Sequence, residues 1–356
     1  MLQQRGAITS SEIQQQSEVW KETISIVSTK RNELMSWFGK EAFGQVVFMG
    51  AGSSYHASMV SSRFFGALTG VATCAFPSAE IFALNRPPFE ERRKTLVVSF
   101  SRSGETSETL WAMEKLKAKS PNSRHLLVTA NAEGPMVALA DQTIIIPKAK
   151  EESDVSTKAY TSSILAMKLL TSILMKNESI YNELIALPDK LVVKKYQNEI
   201  QKITAMKPIH IAVSGNGLLY GHACAASSLI KKMSSIPAEF NYTTELKHGD
   251  ANHFNQNMLA IILAGDLMKK ADGNIAGFIS QSKCHRLVIC EKADHRLGNA
   301  DYLIELNSGL SEYTRDLLMM PVLQELGFYL AISKAYNPDK PKHTQPIIIY
   351  KEPLFD

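Results

Sequence analysis

The sequence predicts an α/β protein with two doubly wound parallel sheets, each flanked by helices. Apolar, β-prone runs alternate with helical segments along most of the 356 residues, which is the pattern of parallel strands joined by helical crossovers. A Gly-x-Gly turn follows such a run at residues 50–52 and again at residues 215–217. The second half therefore repeats the order of the first, and a chain of this length has room for two cores.

The individual elements follow from runs of β-branched and apolar residues bounded by turn residues. In the first half we predict strands at 46–49, 95–100, 125–129 and 143–146, a helix from residue 107 and a long helix from about 157 to 174. In the second half we predict strands at 211–214 and 258–263, and we match residues 237–240 to residues 77–81 of the first half.

These elements divide the chain into five segments. They are a helical arm (1–40), a first domain (41–180), a helical connector (181–206), a second domain (207–336) and an extended, proline-rich tail (337–356). Ligands of such sheets lie beyond the carboxyl ends of the strands, and both Gly-x-Gly turns are predicted at that edge.

Composition narrows the class of function. A net charge of +4 suits an anionic small molecule, and the sequence has no concentrated basic stripe of the kind that binds nucleic acid. No run approaches the ~20 apolar residues of a membrane span, and the N-terminus lacks the apolar core of a signal peptide. The four cysteines are scattered without metal-ligand spacing, so we expect reduced thiols in a cytoplasmic protein and no metal.

The most informative stretch is SRSGET at residues 101–106, directly after the predicted strand 95–100. A strand followed by a glycine-containing turn and a helix presents backbone N–H groups at the positive end of the helix dipole, where phosphates bind. Ser101, Ser103 and Thr106 add three hydroxyls, and Arg102 adds a positive charge. The alternative is that these hydroxyls only cap the helix. The corresponding stretch of the second half, after residue 263, has no hydroxyl cluster and contains Asp266, which would repel an anion.

His248 is the histidine best suited to proton transfer. Imidazole exchanges protons near neutral pH, and the polar, glycine-ended stretch 243–249 is typical of a loop. A lone loop histidine is also often merely exposed. His56 adjoins the first Gly-x-Gly turn, whereas five others flank predicted strands or lie in polar loops and are interpreted as structural: His125, His210, His285, His295 and His343.

A family resemblance rests on motifs that recur in order along the chain. They are GAGSSY (50–55), SRSGET (101–106), STKAYT (156–161), ELKHG (245–249) and NPDKP (337–341). Together they resemble the tandem sugar isomerase (SIS) domains of glucosamine-6-phosphate synthase, also called glutamine–fructose-6-phosphate aminotransferase, and of stand-alone amino-sugar phosphate isomerases and deaminases. The resemblance covers the chain from about residue 40 to the tail, implies two three-layer α/β/α SIS domains, and leads us to expect no glutaminase domain.

The resemblance also implies roles for individual residues. It places Ser54, Ser101, Ser103 and Thr106 at phosphate-binding positions, with Arg102 adding a bond to the phosphate, and it places Ser53 and Ser156 along the sugar. Glu151 falls on a family carboxylate near the sugar and is a candidate catalytic residue, although a carboxylate in this charged loop can equally be solvated. His248 matches the histidine that opens the sugar ring, which the family contributes across a dimer interface.

Three catalytic positions of the family are altered in this chain. The glutamate that moves a proton between C1 and C2 lies sixteen residues before the ring-opening histidine, and that position holds Lys232. A nearby family lysine is replaced by Leu229, and the C-terminal lysine that reaches the sugar carbonyl is replaced by Pro346. Lys232 can act as a base or imine former if its pKa is lowered in the site, or it can be a surface ammonium group beside Lys231.

The expected function is a phosphosugar isomerase or deaminase, of the glucosamine 6-phosphate or fructose 6-phosphate kind. It would work by ring opening and C1–C2 proton transfer without a metal or organic cofactor, as a cytoplasmic homodimer with no nucleic-acid or membrane partner. Two alternatives remain open from the sequence. One is a non-catalytic phosphosugar-binding protein that senses its ligand, and the other is a deglycase of phosphorylated sugar–amine adducts.

Overall fold

The fold contains two parallel sheets, as predicted, and each sheet has five strands. A computed structural model of the chain describes residues 5–297 and 300–352. In chain order, the first half comprises α1 (Ala7–Gln14), α2 (Gln16–Thr29), α3 (Arg31–Gly39), β1 (Gln45–Gly50), α4 (Ser53–Thr69), β2 (Ala72–Pro77), α5 (Ser78–Ala83), β3 (Thr95–Phe100), α6 (Ser107–Lys119), β4 (Ser123–Thr129), β5 (Gln142–Ile145) and α7 (Lys158–Leu174).

The second half begins with two helices and then builds the second sheet. Its elements are α8 (Glu178–Lys190), α9 (Gln197–Ala205), β6 (His210–Gly215), α10 (Leu218–Ser234), β7 (Ala238–Asn241), β8 (Met258–Leu263), α11 (Lys269–Ile279), β9 (His285–Cys290), β10 (Tyr302–Glu305) and α12 (Glu312–Ser333). Single 3-10 turns include Thr243–His248 and Asp250–His253.

The chain divides into two compact units, each assembled from several segments. The first-sheet unit comprises Gln15–Glu151, Lys158–Pro188 and the chain from Gln345 onward. The second-sheet unit comprises the chain up to Gln14, Glu152–Thr157 and Asp189–Thr344. The predicted helical arm and tail are therefore each shared between the two units.

The two sheets have the same topology, which explains the repeat in the sequence. The strand orders are β2-β1-β3-β4-β5 and β7-β6-β8-β9-β10, and all neighbouring strands are parallel. All six residues of β3 and of β8 are buried, as expected for central strands of a sheet covered on both faces. Helix α4 packs against α7 and α5 against α6 in the first-sheet unit, whereas α10 packs against α12 in the second-sheet unit.

One predicted correspondence between the halves is wrong. Residues 237–240 were matched to 77–81, but Ser78–Ala83 is a helix and the counterpart of β7 in the topology is β2. Strand β2 was not predicted because it contains only one β-branched residue, Thr73, and ends in Pro77, and as a sheet edge it is only partly buried.

Among residues 5–297 and 300–352, no helix combines the length and the apolar character needed to cross a membrane.

Candidate active site

Two serine-containing turns lie side by side at the carboxyl edge of the first sheet. Strands β1 and β3 are parallel neighbours, with Met49 opposite Ser99, so the turns that follow them emerge together. At the first turn, Gly52 has a φ of +56°, which favours glycine, and helix α4 begins at the next residue. Ser53 and Ser54, both partly buried, are therefore the first two residues of this helix.

The second turn uses serine oxygens to hold its own backbone. The Gly104 N–H donates to Ser101 Oγ at 3.1 Å, and the Glu105 N–H donates to Ser103 Oγ at 3.2 Å. Because a hydroxyl both accepts and donates, each serine retains an O–H for a ligand. Thr106 is the N-cap residue of α6, yet its side chain makes no capping hydrogen bond. Helix capping therefore does not account for the hydroxyl of Thr106.

The loop after β4, which contains Asn131 and Gly134, contacts the second turn. Asn131 Nδ2 donates to the Ser103 carbonyl at 2.8 Å and to Glu105 Oε1 at 3.1 Å. Gly134 lies so close that a Cβ added there would be 2.9 Å from the Gly104 Cα. Sequence analysis missed both residues, because neither belongs to a recognisable motif and their contacts with the turn are long-range.

A buried ion pair joins the second turn to the loop before α7. Arg102 Nη1 lies 2.8 Å from Glu151 Oε2, and the Glu151 side chain is 0% exposed. The other oxygen, Oε1, accepts a hydrogen bond from the Ala159 N–H in the first turn of α7 at 3.2 Å. The suggestion that Glu151 is simply solvated is therefore wrong.

The tail runs along the amino end of α6. Arg102 Nη2 donates to the Pro346 carbonyl at 2.9 Å, the Ser107 N–H donates to the Ile348 carbonyl at 3.0 Å, and the Tyr350 N–H donates to Ser107 Oγ at 2.9 Å. The Tyr350 ring stacks on Trp111 with 6.1 Å between ring centroids. The tail is thus part of the wall of the candidate site, and its one sequence signal was the apolar run 347–350.

In the second sheet, the equivalent turn is the one that follows β8. Its backbone N–H groups donate hydrogen bonds to carboxylates of the protein itself. The N–H groups of Asp266 and Leu267 donate to Glu312 Oε2 at 2.5 and 3.1 Å, and the Gly265 N–H donates to Asp272 Oδ2 at 3.3 Å. Burial raises the pKa of Asp272 to about 7. Side-chain carboxylates thus occupy the position where an anionic ligand would bind, which agrees with the absence of a hydroxyl cluster there.

Three predicted site residues belong to the second-sheet unit instead. Ser156 lies partly buried in the segment 152–157. His248 is exposed and ends the turn Thr243–His248, next to Gly249 with its φ of +126°. Lys232 is half-buried near the end of α10, and Leu229 one turn earlier is buried.

Lys232 lines a cavity rather than a flat helix surface. The cavity has a volume of about 270 Å³, and its wall includes three further basic side chains, those of Arg5, Lys340 and Lys342. A cavity with four cationic groups suits an anionic ligand.

Comparison with known proteins finds a family match in the first half of the chain. Residues 42–173 match the SIS domain model. The repeated strand order is consistent with a second SIS domain.

The similarity to individual proteins extends along most of the chain. The chain is 29% identical over 324 residues to a glutamine–fructose-6-phosphate aminotransferase of Caldanaerobacter subterraneus. The match covers 85% of this chain and 51% of that protein. The chain thus spans about half the length of the curated relatives that it matches.

Two solved structures share the fold. A tagatose-6-phosphate ketose/aldose isomerase from Escherichia coli superposes with a TM-score of 0.85 at 16% identity, covering 98% of both chains. A glucosamine-6-phosphate deaminase from Thermotoga maritima superposes with a TM-score of 0.75 at 23% identity, covering 92% of this chain and 100% of that one.

Proposed function

We propose that this protein binds a phosphorylated hexose or amino sugar and converts it by ring opening and C1–C2 proton transfer, as an isomerase or deaminase. The observation that carries the proposal is the hydroxyl-lined turn 101–106, at the end of a buried central strand and the start of a 13-residue helix. Relatives and structural neighbours named for fructose 6-phosphate, tagatose 6-phosphate and glucosamine 6-phosphate support the substrate class.

In this proposal the phosphate is held by hydroxyls and by the amino end of α6. Ser101, Ser103 and Thr106 donate from the second turn and Ser54 from the first. Ser53 and Ser156 line the sugar. Arg102 contributes positive charge beside the phosphate, while Glu151 fixes the guanidinium group and sets its direction.

The chemical steps are assigned to the second-sheet unit. His248 removes the proton from the anomeric hydroxyl and gives one to the ring oxygen, which yields the open-chain sugar. After losing its ammonium proton to water, Lys232 removes the proton from C2 of the aldose and returns it to C1, or it forms an imine with the carbonyl and releases water. The exposed position of His248 suits delivery to the site of a second subunit in a homodimer. The four cysteines are free thiols, which suits a cytoplasmic location.

Proton exchange at C2 of the sugar tests this function directly. The protein is incubated in deuterated water with glucosamine 6-phosphate or fructose 6-phosphate, and loss of the C2 or C1 proton signal is followed by NMR. Exchange above the buffer rate, lost in His248→Ala, supports the enzyme. Tight binding without exchange would identify a sensing protein, and release of amine only from sugar–amine adducts would identify a deglycase.

A further inference from the structure

Two imidazoles and a carboxylate meet at one edge of the second sheet. His210 is the first residue of β6, Glu239 is the second residue of the edge strand β7, and His253 ends the turn Asp250–His253. The ligand atoms that these three side chains offer all lie within 4.8 Å of one another. Sequence analysis treated His210 as structural because nothing in the spacing of these residues indicates that they meet.

The distances between these atoms suit a single bound ion. His253 Nε2 lies 3.1 Å from Glu239 Oε1, and His210 Nε2 lies 3.7 Å from Glu239 Oε2. A tetrahedral zinc ion binds nitrogen and oxygen at about 2.0–2.2 Å, which separates its ligand atoms by roughly 3.3–3.5 Å. Each ring nitrogen thus lies close to that separation from one oxygen of the same carboxylate, so small side-chain rotations would bring both nitrogens and the carboxylate onto one ion.

One oxygen of this carboxylate is also left without a hydrogen bond among the described residues. Glu239 Oε1 is buried from solvent and makes no acceptable hydrogen bond within the part of the chain that the structure describes, although His253 is close. A bound cation would satisfy this oxygen and both ring nitrogens together.

The chemistry of the donors selects the class of metal. Two imidazole nitrogens and one carboxylate oxygen suit zinc, cobalt, nickel or copper, whereas magnesium and calcium prefer oxygen ligands alone. The three side chains are 29%, 31% and 47% exposed for His210, Glu239 and His253, which leaves a fourth position for water. We propose that these residues form a binding site for a divalent transition metal ion of the zinc class.

The site adjoins the turn that ends with His248. The turns Thr243–His248 and Asp250–His253 are consecutive and in contact, and only Gly249 separates them in the chain. A metal that fixes His253 to the sheet would therefore restrict the movement of the segment 243–253. The effect on catalysis depends on the proposed role of His248, but the existence of the metal site does not.

Cobalt absorption tests the site without reference to any substrate. The full chain, expressed without a polyhistidine tag and treated with chelator, is titrated with Co²⁺, and visible absorption is followed before displacement with Zn²⁺. We expect one ion per chain. Hydrogen exchange of residues 243–253 should slow when the ion binds.

Substitutions distinguish this site from adventitious binding. His253→Ala and Glu239→Gln should each weaken Co²⁺ binding by at least about tenfold, because each removes one of three ligands. His285→Ala is the matched control, since His285 is also the first residue of a strand in the same sheet and should leave affinity unchanged. Circular dichroism verifies that each variant is folded. Absence of Co²⁺ and Zn²⁺ binding, or binding that both substitutions leave intact, would overturn the proposal.

Discussion

At the residue scale, the pairing of Arg102 with Glu151 controls the charge of the candidate phosphate site. The Glu151 side chain is fully buried and the Arg102 side chain is 17% exposed, so neither charge is well solvated if its partner is removed. The guanidinium group also holds the Pro346 carbonyl, so the ion pair connects the turn, the loop before α7 and the tail.

Glu151→Gln tests this pair. The substitution leaves the guanidinium group partly buried without a counter-charge, and we expect the free energy of unfolding to fall by about 1–3 kcal/mol in urea denaturation. The control is Glu152→Gln, because Glu152 is the adjacent residue and its side chain is exposed. Equal effects of the two substitutions would show that the ion pair contributes nothing to stability.

The buried Asp272 makes a prediction about pH. Its pKa in the folded protein is raised to about 7, above the ordinary value of about 3.9 in an unfolded chain. The folded state therefore binds this proton more tightly, and the resulting stabilisation is complete below pH ~4 and is lost as pH rises through 7. Wild type should thus lose stability between pH 5 and 8 through this group, with a slope of at most about 1.4 kcal/mol per pH unit.

Thermal unfolding of Asp272→Asn across this pH range measures the contribution of that one group. The variant cannot ionise, so the difference in stability between it and wild type should grow in favour of the variant as pH rises. A constant difference between pH 5 and 8 would mean that Asp272 is ionised throughout this range.

At the scale of elements, the close contact between Gly104 and Gly134 fixes the shape of the turn 101–106. A Cβ on Gly134 would lie 2.9 Å from the Gly104 Cα and 3.0 Å from the Ser103 carbonyl oxygen, both of them backbone atoms. The turn 101–106 can therefore keep its shape only if residue 134 has no side chain.

Gly134→Ala should displace the turn and weaken binding of fructose 6-phosphate, with a loss of stability of about 1–3 kcal/mol. Gly277→Ala is the matched control, because Gly277 is an exposed helical residue with no atom within 4 Å of an added Cβ. The control should stabilise the protein by about 0.5–1 kcal/mol, since alanine favours helix. Affinity for the sugar phosphate is measured by calorimetry, and unchanged affinity in Gly134→Ala would contradict this account of the turn.

The central elements were predictable from the sequence, whereas the edges were not. Strands β3 and β8 were predicted at their observed bounds, because buried central strands are continuous apolar runs. The predicted strand 143–146 is displaced by one residue from β5, and β2, β7, β9 and β10 were missed. The three-layer arrangement of each domain stays a prediction.

The site was predictable where it rests on local sequence and not where it rests on long-range contacts. The turn 101–106 was recognisable because a strand, a glycine and hydroxyls adjoin in the chain. The pairing of Arg102 with Glu151 spans 49 residues and its contact with Pro346 spans 244, so no local pattern indicates either contact. The roles of Ser54, Ser156, Lys232 and His248 stay predictions.

At the scale of the whole molecule, two sheets of the same topology differ in the turn that follows the central strand. In the first-sheet unit, the turn after the central strand carries hydroxyls that are not used up by capping its helix. In the second-sheet unit, the equivalent amides already bind Glu312 and Asp272. We therefore predict one phosphate-binding turn per chain, in the first-sheet unit.

Calorimetry with fructose 6-phosphate, comparing wild type with Thr106→Val, tests this central claim most directly. Valine keeps the shape of threonine, and the Thr106 hydroxyl makes no capping bond, so the substitution removes only a bond to the ligand. We predict one binding site per chain, no binding of fructose without phosphate, and affinity lowered about tenfold to a hundredfold in Thr106→Val. No heat with the sugar phosphate, or equal affinity in wild type and Thr106→Val, would contradict the account.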